Sequence, residues 1–199
     1  MAARTPWPRL AGVVLIAAAI TLTTTGARAD GLGRIDVTRE GDSYAITACA
    51  ATTAPAELVW QVLTDFEHLS DFVPDMRSSR VVSAPGEPLR VEQQGVARVL
   101  LFERRIDVVF AIDLDPPRSI RFRAVKGNLR RMAGHWRLSG RDGCHIEYRA
   151  LSTPEFWVPP LIGPALMRAQ LRDQFNGVLK EIRRRQQILA TSSRHLPAE

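Results

Sequence analysis

The sequence predicts an α+β fold in which a curved antiparallel sheet of about seven strands wraps around a long C-terminal helix. Three observations predict this fold class. A strand-like segment precedes two short helical segments, about six strand-like segments follow in succession, and the chain then has one long stretch of helical periodicity. Several strands alternate between an apolar and a polar face, and only the last helix is long enough to cover the apolar face.

The N-terminus resembles a cleavable secretory signal peptide. Arg4 and Arg9 precede an uncharged apolar run over residues 10–22, and residues 27–29 (Ala-Arg-Ala) match the small residues that precede a signal-peptidase cleavage site. The run is shorter than the ~20 residues that a membrane-spanning helix needs, and an uncleaved N-terminal anchor is the alternative. We therefore expect residues 1–29 to be removed and the mature protein to be periplasmic or secreted.

The mature chain is predicted to contain one domain, over residues 30–190, and a disordered tail over residues 191–199. Loss of the signal peptide removes three arginines and no acids, so the formal net charge falls from +6 to about +3. This mild charge and the lack of a recognised binding motif argue against nucleic acid as a partner. The four histidines and two cysteines have no metal-ligand spacing, and no nucleotide-binding motif occurs. We expect no metal and no cofactor.

The first extended segment covers residues 35–53. Gly41 and Asp42 divide it into a short lead-in and a longer strand, in which Tyr44 and Ile46 share one face. The spacing of the apolar residues then changes from that of a strand to that of a helix. Pro55 suits the first position of a helix, and apolar residues recur at helical spacing until Phe66.

A second short helical turn is predicted over residues 67–72, and Pro74 ends it. Tight turns separate the strand-like segments that follow. Their ranges are 76–83, 89–98, 101–114, 119–126, 130–139 and 144–151.

The polar face of the predicted sheet is mostly basic. Arg121, Arg123, Arg137 and Arg149 alternate with apolar residues in the later strands. They could dock on a membrane or an acidic partner, or they could be a solvated face that pairs with nearby acids such as Glu147 and Asp107.

A proline-rich link over residues 153–164 precedes the final helix, in which apolar residues recur every three or four positions from Met167 to Ile182. Phe156 and Trp157 lie in the link. They could form a lid or an edge that touches a membrane, or they could only attach the link to the fold.

The alternation pattern also bears on the two cysteines. Cys49 belongs to the outer face of its strand, whereas Cys144 continues the inner face of the last strand. Directly opposed residues of neighbouring antiparallel strands share a face. We therefore expect both cysteines to be free.

Residues 54–74, which read APAELVWQVLTDFEHLSDFVP, resemble the opening of the START-like (SRPBCC) superfamily, in particular its polyketide cyclase/dehydrase and coenzyme Q-binding branch. Two further segments strengthen the resemblance: Asp-Pro-Pro-x-x-Ile over residues 115–120 and Gly-x-Trp-x-Leu over residues 134–138. The resemblance covers about residues 43–189. It implies a helix-grip fold with a hydrophobic cavity between the sheet and the last helix. Members of this superfamily bind lipids, quinones, polyketides or other apolar ligands, and some are cyclases.

Large apolar side chains and one arginine are the candidate ligand-binding residues of this cavity. For each apolar side chain the alternative is a purely structural role in the core. Arg104 falls on the inner face by strict alternation, where it could contact a ligand head group, but a bulge at residues 103–105 would turn it outward. The candidates are Phe72, Phe102, Arg104, Phe110, Phe122, Trp136, Phe156, Trp157, Met167 and Leu171.

These observations favour an exported protein that binds a hydrophobic small molecule or lipid, with weak membrane-surface contact as a further possibility. The alternative is a cyclase- or dehydrase-like enzyme that acts on an apolar carbonyl compound. Such an enzyme needs an acid or base in the cavity. The candidates are few. Tyr148 could face the cavity, although a core role is the common one for such a tyrosine, and His135 is predicted to face away. Asp65, Asp71 and Asp75 could be acids at the cavity mouth, but helix caps and turns explain them better. We therefore expect binding rather than catalysis.

Overall fold

The computed structural model describes residues 30–99, 102–140, 144–159 and 161–192. The predicted signal peptide, residues 1–29, and residues 193–199 of the predicted tail lie outside this range. Three helices are described: α1 (Ala56–Leu63), α2 (Leu69–Phe72) and α3 (Gly163–Ser192). The strands are β1 (Gly31–Glu40), β2 (Ser43–Thr52), β3 (Met76–Val81), β4 (Arg90–Val99), β5 (Phe102–Asp115), β6 (Ser119–Gly127), β7 (Leu129–Ser139) and β8 (Cys144–Pro154).

All described strands belong to one antiparallel sheet with the order β1-β2-β8-β7-β6-β5-β4-β3. The predicted fold class is confirmed, with eight strands instead of about seven. The difference arises because the lead-in before Gly41 is a full strand, paired with β2 from Gly31 opposite Ala51 to Glu40 opposite Ser43. Its alternation is weak in the sequence because only Ile35 and Val37 of this edge strand are buried.

Helix α1 begins after Pro55, whose φ of −63° suits the start of a helix. It buries an apolar face that includes Val59 and Val62. The single turn of α2 follows, as predicted. Both short helices lie against α3, which packs over the concave side of the sheet.

Helix α3 buries Phe175, Val178 and Ile182, three residues of the predicted apolar stripe. At Gly177 it approaches the end of α2 so closely that a Cβ atom would overlap the Phe72 carbonyl oxygen. This glycine therefore sets how close the two helices lie. None of the helices in the described ranges combines the length and hydrophobicity needed to cross a bilayer.

The strand register agrees with the predicted faces of the two cysteines. Cys49 lies opposite Glu147 on β8, whereas Cys144 lies opposite Thr52 on β2. The Cys49 thiol is free. The side chain of Cys144 lies outside the described part of the chain, so its predicted free state stays a prediction.

Candidate functional site

Two adjacent chambers lie between the sheet and α3. The inner chamber has a volume of about 180 Å³ and is enclosed by the α1–α2 segment, the middle of the sheet and α3. The outer chamber has a volume of about 240 Å³ and lies between β4, β5, β7, β8 and the first turns of α3. Six residues line both chambers, and we call them the waist: Met76, Gln93, Phe110, Met132, Leu171 and Gln174.

Aromatic rings form much of the inner chamber wall. Phe110 and Phe122 meet edge to face with their ring centroids 5.5 Å apart. Trp136 contacts Tyr148 at 4.6 Å and Phe175 at 5.1 Å between centroids. Such contacts stabilise the wall beyond the burial of apolar area, so the shape of this chamber is set in advance of any ligand.

The strand register explains why these rings meet. Trp136 of β7 lies opposite Tyr148 of β8, and Phe122 of β6 lies opposite Gly134 of β7. A Cβ atom at Gly134 would overlap the Arg149 carbonyl oxygen and come within 2.8 Å of the Ala150 Cα atom. Gly134 therefore allows β7 and β8 to approach closely beside Phe122, which is a physical reason for the glycine of the Gly-x-Trp-x-Leu segment.

A few polar groups interrupt the apolar walls. Burial raises the pKa of the Tyr148 phenol above its usual value, so the phenol is protonated at any physiological pH. Among the described residues, no hydrogen bond is made by this phenol or by the side chains of Gln93 and Gln174. In contrast, Gln170 of the outer chamber donates a hydrogen bond of 2.7 Å to the Val96 carbonyl oxygen.

Six of the predicted site residues line the chambers. Phe122 and Trp136 line the inner chamber, and Phe156 and Met167 line the outer one. Phe110 and Leu171 belong to the waist. Sequence reasoning had therefore identified both the sheet wall and the helix wall of the cavity.

The structure does not bring three other candidates into the chambers. Phe72 lies in a polar groove, with the Arg185 guanidinium carbon 5.9 Å from its ring centroid. Trp157 is 75% exposed. Arg104 is also exposed, although the β4–β5 register is continuous from Arg90 to Val99, so no bulge turns it outward.

Arg104 lies on the part of β5 that pairs only with β4, because the pairing of β5 with β6 begins at Val108. The side chain of the remaining candidate, Phe102, lies outside the described residues.

Sequence reasoning missed the two polar residues of the waist. Gln93 follows Val91 on the inner face of β4, and Gln174 lies one helical turn after Leu171. Both positions follow from the same periodicities that identified their apolar neighbours. They were missed because a glutamine is usually assigned to a solvated face.

A larger groove of about 960 Å³ lies between α2 and the C-terminal half of α3, and it contains the three acids predicted at the cavity mouth. Most of its charged groups pair with one another, whereas Asp71, Asp173 and Lys180 form no ion pair with the described residues. Asp65 accepts hydrogen bonds from His68 at 2.7 Å and from Arg185 at 2.6 Å. Asp75 lies 2.8 Å from Arg98.

In the same groove Glu181 accepts hydrogen bonds from Arg184 and Arg185, each at 2.7 Å. Those two arginines, against the opposing effect of burial, lower the pKa of Glu181 to about 2. We call the group Asp65, His68, Glu181, Arg184 and Arg185 the clasp, because it ties the α1–α2 segment to α3. The charges of the clasp compensate each other, so this part of the groove is a structural seam between the α1–α2 segment and α3.

His135 lies on the outer face of the sheet, as predicted, between Arg121 and Arg149 on the neighbouring strands. Burial and the nearby cation of Arg137 lower its pKa, so it is neutral at pH 7. Arg149 is paired with Glu147 at 2.5 Å. His135 is thus separated from the chambers by the sheet.

Comparison with known proteins gives a family and a set of similar folds. The sequence model of the family described as polyketide cyclase/dehydrase and lipid transport matches residues 52–177. A STAR-related lipid transfer protein fragment from Xanthomonas axonopodis is 19% identical, with 77% of this chain and 98% of that chain covered at a TM-score of 0.60. An aromatase/cyclase from Streptomyces sp. R1128 is 20% identical, with 72% and 95% covered at a TM-score of 0.57.

A START superfamily protein from Mycobacterium smegmatis is 12% identical, with 70% of this chain and 97% of that chain covered at a TM-score of 0.60. No curated protein matches the chain. At these identities the solved structures show the fold, and their different names leave the ligand and any reaction of this chain open.

Proposed function

Because this chain belongs to the polyketide cyclase/dehydrase and lipid-transport family, we propose that it is an exported protein that binds a hydrophobic small molecule or lipid between the sheet and α3. The observation that supports this function best is the pair of chambers with mainly apolar and aromatic walls. Tyr148 is the only titratable residue among the described residues that line the inner chamber. Such a lining favours desolvation of an apolar molecule over chemistry on a charged one.

The driving force is the removal of apolar surface from water. A ligand that buries ~200 Å² of apolar area gains about 5 kcal/mol before the costs of association. Each chamber, at about 180 or 240 Å³, is small for a ligand cavity, and the two together reach only the lower part of the usual range. Typical cavities hold roughly 300–1,000 Å³. This size favours one small or single-chain molecule over a lipid with two long chains.

The binding function is tested by displacement of the neutral fluorescent probe N-phenyl-1-naphthylamine and by native mass spectrometry of protein purified from its own host. The variant Leu171→Trp fills the waist and is expected to weaken probe binding at least tenfold. Ile188→Trp is the matched control, because it adds the same ring to the same helix at a side chain that is 50% exposed and lies outside both chambers. Failure of the wild-type protein to bind the probe or retain any apolar compound would refute the proposal.

Export is supported by the signal-peptide pattern of residues 1–29, and cleavage before Asp30 is compatible with the contacts of Asp30. Asp30 accepts hydrogen bonds from the backbone N–H of Thr53 at 2.5 Å and from its hydroxyl at 3.3 Å. Cleavage before Asp30 would therefore keep all of these contacts. N-terminal sequencing of the protein from a periplasmic fraction should begin at Asp30; an intact Met1 in the membrane fraction would indicate an anchor instead.

Weak contact with a membrane surface is a second proposal, and exposed apolar side chains between β8 and α3 favour it. Trp157 is 75% exposed and Leu161 is 96% exposed, whereas Phe156 of the same link lines the outer chamber. Tryptophan suits the boundary between water and lipid. Trp157→Ser with Leu161→Ser should reduce sedimentation with phosphatidylethanolamine/phosphatidylglycerol vesicles several-fold, and unchanged sedimentation would contradict the proposal.

A cyclase- or dehydrase-like reaction is the alternative function, and the Tyr148 phenol is the feature that favours it. A protonated phenol inside an apolar chamber could donate a proton or a hydrogen bond to a substrate carbonyl. Turnover of an apolar carbonyl substrate that is lost in Tyr148→Phe would support catalysis. Equal ligand binding without turnover in both proteins would favour the binding function.

A further inference from the structure

The waist between the two chambers contains two half-buried amides that make no hydrogen bond to the described residues. Gln93 comes from β4, where it lies opposite Val108, and Gln174 comes from the facing side of α3. Both line both chambers. The two amides therefore reach the same junction from the sheet wall and from the helix wall.

We infer that the ligand is an uncharged, elongated apolar molecule with a carbonyl or hydroxyl group near its middle, which Gln93 and Gln174 bind at the waist. This inference rests on the proposed binding function and deepens it. The apolar parts of the molecule on either side of the polar group would occupy the inner and the outer chamber.

The hydrogen-bonding capacity of the waist favours this ligand, because the waist offers two unpaired amides where the inner chamber beyond it adds, among the described residues, only the Tyr148 phenol and the Trp136 indole. Neither amide has a hydrogen-bond partner among the described residues, whereas Gln170, one turn earlier on α3, is paired with the Val96 carbonyl. A purely apolar ligand would remove water from both amides without replacement, which is unfavourable. A carbonyl group accepts from an amide NH₂, and a hydroxyl group both donates and accepts.

The residues that line the chambers also disfavour a charged ligand. No charged side chain lines the inner chamber within the described ranges, and Asp75 of the outer chamber is already paired with Arg98. A carboxylate or phosphate at the waist would lose its hydration without a cation to compensate. The inference therefore excludes ligands with an ionic group at this position.

The position of the polar group can be tested with three probes of equal chain length: 7-tridecanone, 2-tridecanone and tridecane. Their affinities are measured by displacement of N-phenyl-1-naphthylamine from the wild-type protein. One additional hydrogen bond to an otherwise unpaired group corresponds to roughly a 3- to 10-fold gain in affinity. We expect 7-tridecanone to bind tighter than both of the other probes by about this factor.

The variants Gln93→Leu and Gln174→Leu assign the preference to the waist. Each should reduce the advantage of 7-tridecanone over tridecane, and the double variant should abolish it while tridecane still binds. Gln187→Leu is the matched control, because it makes the same substitution at an exposed position of α3. It should keep the wild-type preference.

The outcomes separate this inference from the function on which it rests. If tridecane and the two ketones bind equally well to the wild-type protein, or if 2-tridecanone binds as tightly as 7-tridecanone, the waist does not select a central polar group. The binding function would survive that result. If none of the three displaces the probe and no apolar compound binds, both are refuted. The wild-type ranking decides the inference even if a variant fails to fold.

Discussion

The contact between α2 and α3 provides the sharpest test of how this fold holds its cavity. At Gly177 a Cβ atom would overlap the Phe72 carbonyl oxygen and lie 2.7 Å from the Pro74 Cδ atom. The Phe72 oxygen belongs to the backbone, so it cannot move out of the way as a flexible side chain would. Gly177→Ala therefore requires the two helices to separate.

Two opposing effects set the size of the change. Alanine favours a helix interior over glycine by about 1 kcal/mol. Overpacking against a fixed backbone costs roughly 1–3 kcal/mol. Because the overlap is with fixed backbone, the upper part of this cost, roughly 2–3 kcal/mol, applies, and we expect a net loss of about 1–2 kcal/mol in the free energy of unfolding. Asn176→Ala is the control, because Asn176 is the exposed neighbour on the same helix and should gain a few tenths of a kcal/mol.

The measurement is urea unfolding of the protein without residues 1–29, monitored by circular dichroism and repeated with N-phenyl-1-naphthylamine present. Because Gln174 and Phe175 precede Gly177 on α3, a shift of the helix should also weaken probe binding. If Gly177→Ala is as stable as the wild-type protein or more stable, the helices are not held at the distance described, and our account of the seam is wrong.

Three further predictions concern other parts of the molecule. Glu181→Gln should lower the free energy of unfolding at pH 7 by about 1.5–3 kcal/mol. Because the folded pKa of Glu181, about 2, lies below its ordinary value of 4.5, its stabilisation is present above pH 4.5 and is lost as the pH falls towards 2. Urea unfolding across this pH range should show the free energies of unfolding of the wild-type protein and the variant converging. A difference that stays constant would contradict this role of Glu181. Gly134→Ala should cost several kcal/mol in the same assay, because its Cβ would overlap the backbone of β8; a loss below about 0.5 kcal/mol would show that the strands can separate easily. Tyr148→Phe should leave stability within about 1 kcal/mol and tridecane affinity unchanged, since its phenol makes no hydrogen bond to the described residues; a larger loss in thermal unfolding would reveal a partner.

The sequence predicted most of the fold because two periodicities dominate this chain. Alternation of apolar and polar residues identified the strands from β2 onward. Apolar residues spaced three or four positions apart identified α1 and α3. The edge strand β1 was underestimated because an edge strand buries little: Ile35 and Val37 alone form its buried face. The resemblance of residues 54–74 to the START-like superfamily is confirmed by the family match over residues 52–177.

The site was predicted less completely, for a geometric reason. Alternation gives the face of a strand on which a residue lies, but not how far along the strand a cavity extends. By alternation Arg104 falls on the same face of β5 as Phe110, yet Arg104 is exposed and Phe110 lines both chambers. The loop residue Trp157 has no periodicity at all. The waist glutamines were missed because their residue type suggested a solvated face, although their positions along β4 and α3 place them on the inner face.

The two ends of α3 hold it to the rest of the fold by different means, and this difference bears on how a ligand would reach the cavity. The C-terminal half is fixed by the ion pairs of the clasp and by the close contact at Gly177. The N-terminal half lines the outer chamber with Met167 and Leu171, and Gln170 supplies one hydrogen bond to β4. Separation of the N-terminal half from the sheet would break one hydrogen bond and some apolar contacts, whereas separation at the clasp would leave charged groups without partners. We therefore expect ligands to exchange through the outer chamber, next to the exposed Trp157, with the clasp as the fixed end.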